Sequence, residues 1–139
     1  MTTKVLFLCT GNSCRSQMAE GFLRALGGYE AHSAGTNPSR VNPMAIEVMR
    51  EIGIDISGQR SKDASEYLGT HFPYIITVCD RAREACPIFP GPSLRLHWSL
   101  PDPAAVTGND EERRAVFRKV RDEISARVRQ FVATDSVAR

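Results

Sequence analysis

Val5-Leu6-Phe7-Leu8 runs apolar without a polar interruption, the pattern of a strand covered on both faces. From Ser16 to Leu26 the period changes: Met18, Phe22 and Leu26 recur at every fourth position, and Gly27-Gly28 closes the predicted helix. Tyr29 to Ala34 predicts a second strand. Asn42-Pro43 reads as an N-cap followed by a proline at the first helical position. Ala45, Val48, Met49 and Ile52 form the apolar stripe of that helix, and Gly53 ends it. Asp63 to Leu68 predicts a short helix, and Tyr74 to Val78 and Leu94 to Trp98 predict the third and fourth strands. The last helix starts near Asn109-Asp110 and carries Phe117, Val120, Ile124, Val128 and Phe131 on one face. Its tail is expected to fray from Thr134 onward.

Strands alternating with helices predict an α/β fold, a four-stranded parallel sheet flanked by helices on both faces. Such sheets bind ligands beyond the carboxyl ends of their strands. Cys9 follows the first predicted strand, Cys79 the third, and Asp102 lies just after the fourth. Parallel strands would gather all three on one edge.

Composition narrows the setting. A chain of 139 residues is long enough to bury its own core, so residues 1–139 are read as one domain. A formal net charge of +2 is too small to imply nucleic acid or an acidic membrane surface. No apolar stretch approaches the length of a membrane span, and MTTKVLFLCT has no signal-peptide architecture. The expected compartment is the cytoplasm, where cysteines stay reduced unless they are catalytic or bind metal.

Two of the four cysteines stand in CTGNSCRS, residues 9 to 16. Thr10, Gly11, Asn12, Ser13 and Cys14 separate Cys9 from Arg15, and a helix follows at once. A small-residue loop entering a helix points successive backbone N–H groups into a concave site, and the helix dipole adds positive potential there. Arg15 can clamp a tetrahedral oxyanion with two parallel hydrogen bonds. The same field is expected to lower the pKa of Cys9 and populate its thiolate. Ser16 is in reach to donate to that sulfur, and Asn12 to brace the loop. The plainer alternative, a buried strand-end cysteine before an ordinary turn, is disfavoured by the strand before and the helix after. A metal is not expected. The Cys9–Cys14 spacing fits no usual zinc pair, and His32, His71 and His97 stand far apart.

Cys-x5-Arg-Ser between strand and helix resembles the phosphate loop of low-molecular-weight protein tyrosine phosphatases and of their relatives, the thioredoxin-coupled arsenate reductases. CTGNSCRSQMAEG and HSAGTNPSRVNPMAIEVMREIGIDIS are more similar to the reductases, and the resemblance extends from Lys4 to about Phe131. It implies the phosphatase-like fold, and it implies that residues 10 to 16 hold arsenate, with phosphate or sulfate as mimics. In TVCDRAREACPIFPG, Cys79 and Cys86 resemble the reductases' relay cysteines. The resemblance then implies a cascade. Cys9 attacks arsenate, Cys79 attacks Cys9, Cys86 attacks Cys79, and thioredoxin or a similar dithiol reduces the last disulfide. Asp102, in HWSLPDPA, is similar to the family's general acid. Cys14 receives no step and is read as a loop-packing residue vulnerable to oxidation. A continuous helix over residues 79 to 86 would hold the two Cα atoms roughly 10 Å apart. A disulfide tolerates about 7 Å, so residues 79 to 92 are expected to rearrange on oxidation.

Some relatives bind potassium near the loop, but Arg60-Ser61-Lys62 brings cations to that stretch, so no potassium is expected. Lys62 either sets its ammonium near Glu20 or points into water. No other cofactor is expected, and the chain is read as a monomer. Two other functions stay open on the sequence: a phosphatase whose extra cysteines protect it against oxidation, and a non-catalytic phosphate or redox sensor. Against an aromatic substrate, Ala104-Ala105-Val106 follows Asp102-Pro103 where the phosphatases often carry aromatic residues.

Overall fold

The apolar run at Val5–Leu8 lies within a longer strand, Thr3–Cys9 (β1), in the interior of a four-stranded parallel sheet. The computed structural model describes residues 2–138. The other strands are Tyr29–Gly35 (β2), Tyr74–Thr77 (β3) and Leu94–His97 (β4), and the sheet order is β2-β1-β3-β4. Val5, Leu6, Phe7 and Leu8 are all fully buried. Successive side chains point to opposite faces, so burial without alternation means that both faces are covered. In register, Cys9 pairs with Gly35, Leu8 with Thr77, and Thr77 with His97. The strands therefore end at nearly one level, and the loops that follow them meet.

Among the described residues four α-helices accompany the sheet: Arg15–Leu26 (α1), Pro43–Arg50 (α2), Asp80–Glu84 (α3) and Asp110–Ala138 (α4). α4 packs against α1 and α2, and α3 against β1 and β3. Asn42 caps α2, its Oδ1 accepting from the Met44 amide at 2.8 Å, with Pro43 in the first turn. The segment predicted as a short helix at Asp63–Leu68 is a 3-10 turn, Ala64–Tyr67, capped by Asp63. α3 is too short to show a period in sequence. Cys79 precedes it and Cys86 lies two residues past its end, so residues 79 to 86 are not continuously helical.

Along α4, Phe117, Val120, Ile124, Val128 and Phe131 are buried as their spacing predicts. The helix itself runs on past Thr134 to Ala138. Within this stretch Asp135 is buried and accepts hydrogen bonds from the Tyr29 and Tyr74 hydroxyls at the starts of β2 and β3. A polar hook of this kind leaves no trace in apolar periodicity. Arg139 lies outside the described residues. Among the described residues no helix is long and apolar enough to cross a membrane.

Candidate active site

Between the end of β1 and the start of α1, the loop is shaped by where its carbonyls go. Cys9 O accepts from Thr36 N at 3.2 Å, Thr10 O from Asn37 N at 2.9 Å, and Gly11 O from Ser39 N at 3.0 Å. Asn12 O accepts from Gln17 Nε2 at 3.0 Å, and Ser13 O from Asn42 N at 3.0 Å. With five consecutive carbonyls engaged by the surrounding segments, the opposed N–H groups of the same peptide planes turn inward. The result is a concavity lined by backbone N–H groups, the kind of geometry that suits an anion. Residues 36 to 42 thus act as the mould of the loop, a role that sequence reasoning missed. The close approach also requires Gly35, where a methyl group would collide with the Thr10 carbonyl.

Asn12 is the strained member of the loop, with φ at 47°, a conformation that asparagine tolerates better than most residues. Its fully buried side chain donates to Ser16 Oγ at 2.8 Å and Ser33 Oγ at 2.9 Å, and accepts from Lys62 N at 2.9 Å. Those bonds fix the loop without drawing on any group that faces the cavity.

Cys9 is 3% exposed. Its sulfur meets Ser16 Oγ at 2.8 Å and accepts from the Asn12 amide at 3.1 Å. The expected lowering of its pKa is not observed, because burial pushes the thiol up and the nearby Cys79 adds to that. Hydrogen bonding at Ser16 and the Arg15 charge pull the other way without prevailing. Arg15 is turned partly aside: Nη1 donates to Leu100 O at 2.9 Å, and Nη2 lies 3.9 Å from Asp102 Oδ2. Cys14 is buried too, and its pKa is pushed up to about 12, mainly by loss of solvent.

A cavity of about 360 Å³ opens over this loop. Cys9, Thr10, Gly11, Ser13, Cys14 and Arg15 of the loop line it together with Cys79, Asp102 and Ala104. Cys79 Sγ lies 3.4 Å from Thr10 Oγ1 and accepts from the Ala82 amide at 3.4 Å, capping α3. Asp102 both shapes its turn, accepting from the Ala104 amide at 3.0 Å, and turns its other oxygen toward Arg15. Asn12 and Ser16 sit behind the cavity wall as braces. Cys86 stands apart, lining a separate cavity of about 130 Å³ beside β4. All four cysteines are free thiols.

The family model of low molecular weight phosphotyrosine protein phosphatases matches residues 4–139, a span that takes in the loop, Arg15 and Asp102. The chain belongs to this family. An arsenate reductase of Halalkalibacterium halodurans is 47% identical over 137 residues, covering 96% of this chain and 99% of the relative. A solved arsenate reductase in its oxidized state superposes with a TM-score of 0.82 at 36% identity, covering 96% of this chain and 98% of that one. The thioredoxin-dependent arsenate reductase of Corynebacterium glutamicum superposes at 0.74 and 28% identity, covering 99% of this chain and 64% of that one.

At the stretch weighed above for potassium, a lysine and a carboxylate already face each other. Lys62 is buried, and its ammonium lies 3.8 Å from Glu20 Oε1 and donates to Arg60 O at 2.9 Å. Glu20 also receives Ser33 Oγ at 2.7 Å, which in turn holds Asn12. Burial draws the Lys62 pKa down while Glu20 opposes the shift. These residues do not fit a potassium ion, because a tethered cation already faces Glu20, the carboxylate through which Ser33 and Asn12 are held. Replacing sodium by potassium at fixed ionic strength is expected to leave turnover unchanged, and a severalfold activation would overturn this. Lys62→Met is expected to destabilise the fold by about 2 kcal/mol in urea titrations, since it leaves the Glu20 carboxylate without this partner.

Proposed function

We propose that the protein reduces arsenate to arsenite through a three-cysteine relay, with the last disulfide reduced by a thioredoxin-like dithiol. The observation that carries the reading is Cys79 in the lining of the same cavity as Cys9 and Arg15. A phosphatase needs one nucleophile and one acid there, and a second thiol serves a reaction that must pass electrons. Arsenate is a slightly enlarged phosphate, so a phosphate loop accepts it, whereas thiols reduce arsenic(V) and leave phosphorus(V) untouched. The naming of the relatives supports the same chemistry, and the Corynebacterium glutamicum protein is named for its thioredoxin dependence.

In this mechanism the inward amides and Arg15 hold the oxyanion. Cys9 gives up its proton to an oxygen of the arriving anion, Ser16 Oγ donating to the thiolate that forms, and then attacks arsenic. Asp102 protonates the departing hydroxyl, which leaves as water. Cys79 attacks the Cys9 sulfur; the arsenic–sulfur bond breaks, its electron pair stays on arsenic, and arsenite leaves. Cys86 then displaces Cys9 from the Cys9–Cys79 disulfide. Ala104 in the cavity lining supplies no flat aromatic wall, consistent with a small inorganic substrate.

One equivalent of arsenate, without external reductant, is expected to consume two thiols per chain. Mass spectrometry should locate the new bond between Cys79 and Cys86, and between Cys9 and Cys79 in Cys86→Ser. Four titratable thiols remaining after arsenate would mark a phosphatase instead.

A further inference from the structure

β4 ties down both ends of α3. His97 Nε2 contacts Asp80 Oδ1 at 2.8 Å, and its Nδ1 contacts Thr77 Oγ1 at 2.7 Å. Two residues earlier, and so on the same face of the strand, exposed Arg95 donates from Nη1 to Cys86 Sγ at 2.9 Å. Its Nη2 reaches Pro87 O at 3.4 Å. Further along, Phe89 is buried edge-on against Phe72 at 6.0 Å between centroids, and Pro92 O meets His71 Nε2. The stretch between Asp80 and Ile88 is therefore held at its ends by polar ties and bounded beyond by an aromatic anchor.

We propose that Arg95 is a redox-dependent latch that sets the poise of the Cys79–Cys86 pair, an inference that rests on the relay described above. A guanidinium only donates, so the Cys86 sulfur accepts. The Cys79 sulfur faces the anion cavity, whereas Cys86 lines a different one. To bond with Cys79, Cys86 must leave Arg95. The step balances as a thiol exchange. Cys86 loses its proton to solvent, its sulfur bonds to Cys79, the Cys9–Cys79 bond breaks, and Cys9 departs with the electron pair and is reprotonated. An external dithiol later supplies two electrons and two protons to the Cys79–Cys86 disulfide and becomes a disulfide itself.

The Arg95 contact exists on the dithiol side of this couple only. It therefore stabilises the reduced form, makes the Cys79–Cys86 disulfide the stronger oxidant, and eases its reduction by the external dithiol. The same hold keeps Cys86 away from Cys79 until Cys79 has reacted with Cys9. Redox tuning and order of events thus come from one hydrogen bond.

The test equilibrates the full chain, Arg95→Gln and Arg95→Lys against mixtures of reduced and oxidised dithiothreitol, with acid quenching and mass spectrometry of the Cys79–Cys86 peptides. Arg95→Gln is expected to shift the equilibrium about tenfold toward the disulfide, a potential lower by about 30 mV, with Arg95→Lys in between. Thermal unfolding should show a loss of stability in the reduced form of Arg95→Gln and none in its oxidised form. An unshifted equilibrium, or equal losses in both forms, overturns the latch alone. Absence of a Cys79–Cys86 disulfide in the unsubstituted chain at every poise overturns the relay and the latch together.

Discussion

Cys79→Ser is expected to lower steady-state arsenate reduction on the order of 10³-fold while leaving hydrolysis of an aryl phosphate within about twofold of the parent. Two facts make the substitution clean. The hydroxyl can take over the cap on the Ala82 amide and the contact with Thr10, so α3 should keep its start. Serine also preserves the shape of the cavity lining while removing the atom that accepts an exchange. Arsenate should still engage Cys9, but the arsenic–sulfur bond would have no neighbouring thiol to break it. Coupled oxidation of thioredoxin and NADPH with its reductase reads the first activity, and nitrophenolate release the second. Multiple turnover of arsenate by Cys79→Ser would show that electrons reach arsenic without this residue. An equal loss of both activities would instead point to a damaged loop.

What the sequence disclosed follows from the kind of interaction involved. Local and periodic features were legible: the uninterrupted apolar run of β1, the Asn42-Pro43 cap and the α4 stripe are each written in neighbouring residues. The loop from Cys9 to Ser16 was legible for the same reason, because its mechanism requires a strand before it and a helix after it. Interactions that depend on tertiary neighbours were not. Asp135 closes on Tyr29 and Tyr74, which lie 106 and 61 residues away, a tie that no local pattern announces. The lowered Cys9 pKa was argued from the helix dipole and Arg15, whereas nearly complete burial and the neighbouring sulfur decide its direction. Of the two alternatives for Lys62, only packing could choose, and it sets the ammonium beside Glu20. Nothing in the local pattern singles out Arg95 or His97 within the fourth strand. Their place on β4, facing α3, turns them into ties on the relay segment.

A second substitution separates holding the substrate from moving its electrons. Arg15→Lys keeps the charge but is expected to reduce kcat/KM on the order of 10²- to 10³-fold for arsenate and for an aryl phosphate alike. The guanidinium has enough donors to hold the Leu100 carbonyl with one nitrogen and still present others to an oxyanion, whereas an ammonium is a single point. The Arg15 side chain is only 13% exposed, so little water is at hand to fill the missing contact. Because the loop serves both reactions, both should fall together, in contrast to Cys79→Ser, where they part. Loss of phosphate hydrolysis with arsenate reduction intact would mean that arsenate is held somewhere other than the loop. The three sulfurs would then have to be assigned to a different site. A parallel fall instead places the oxyanion over Cys9 in both reactions and leaves the sulfur chemistry as the difference between them.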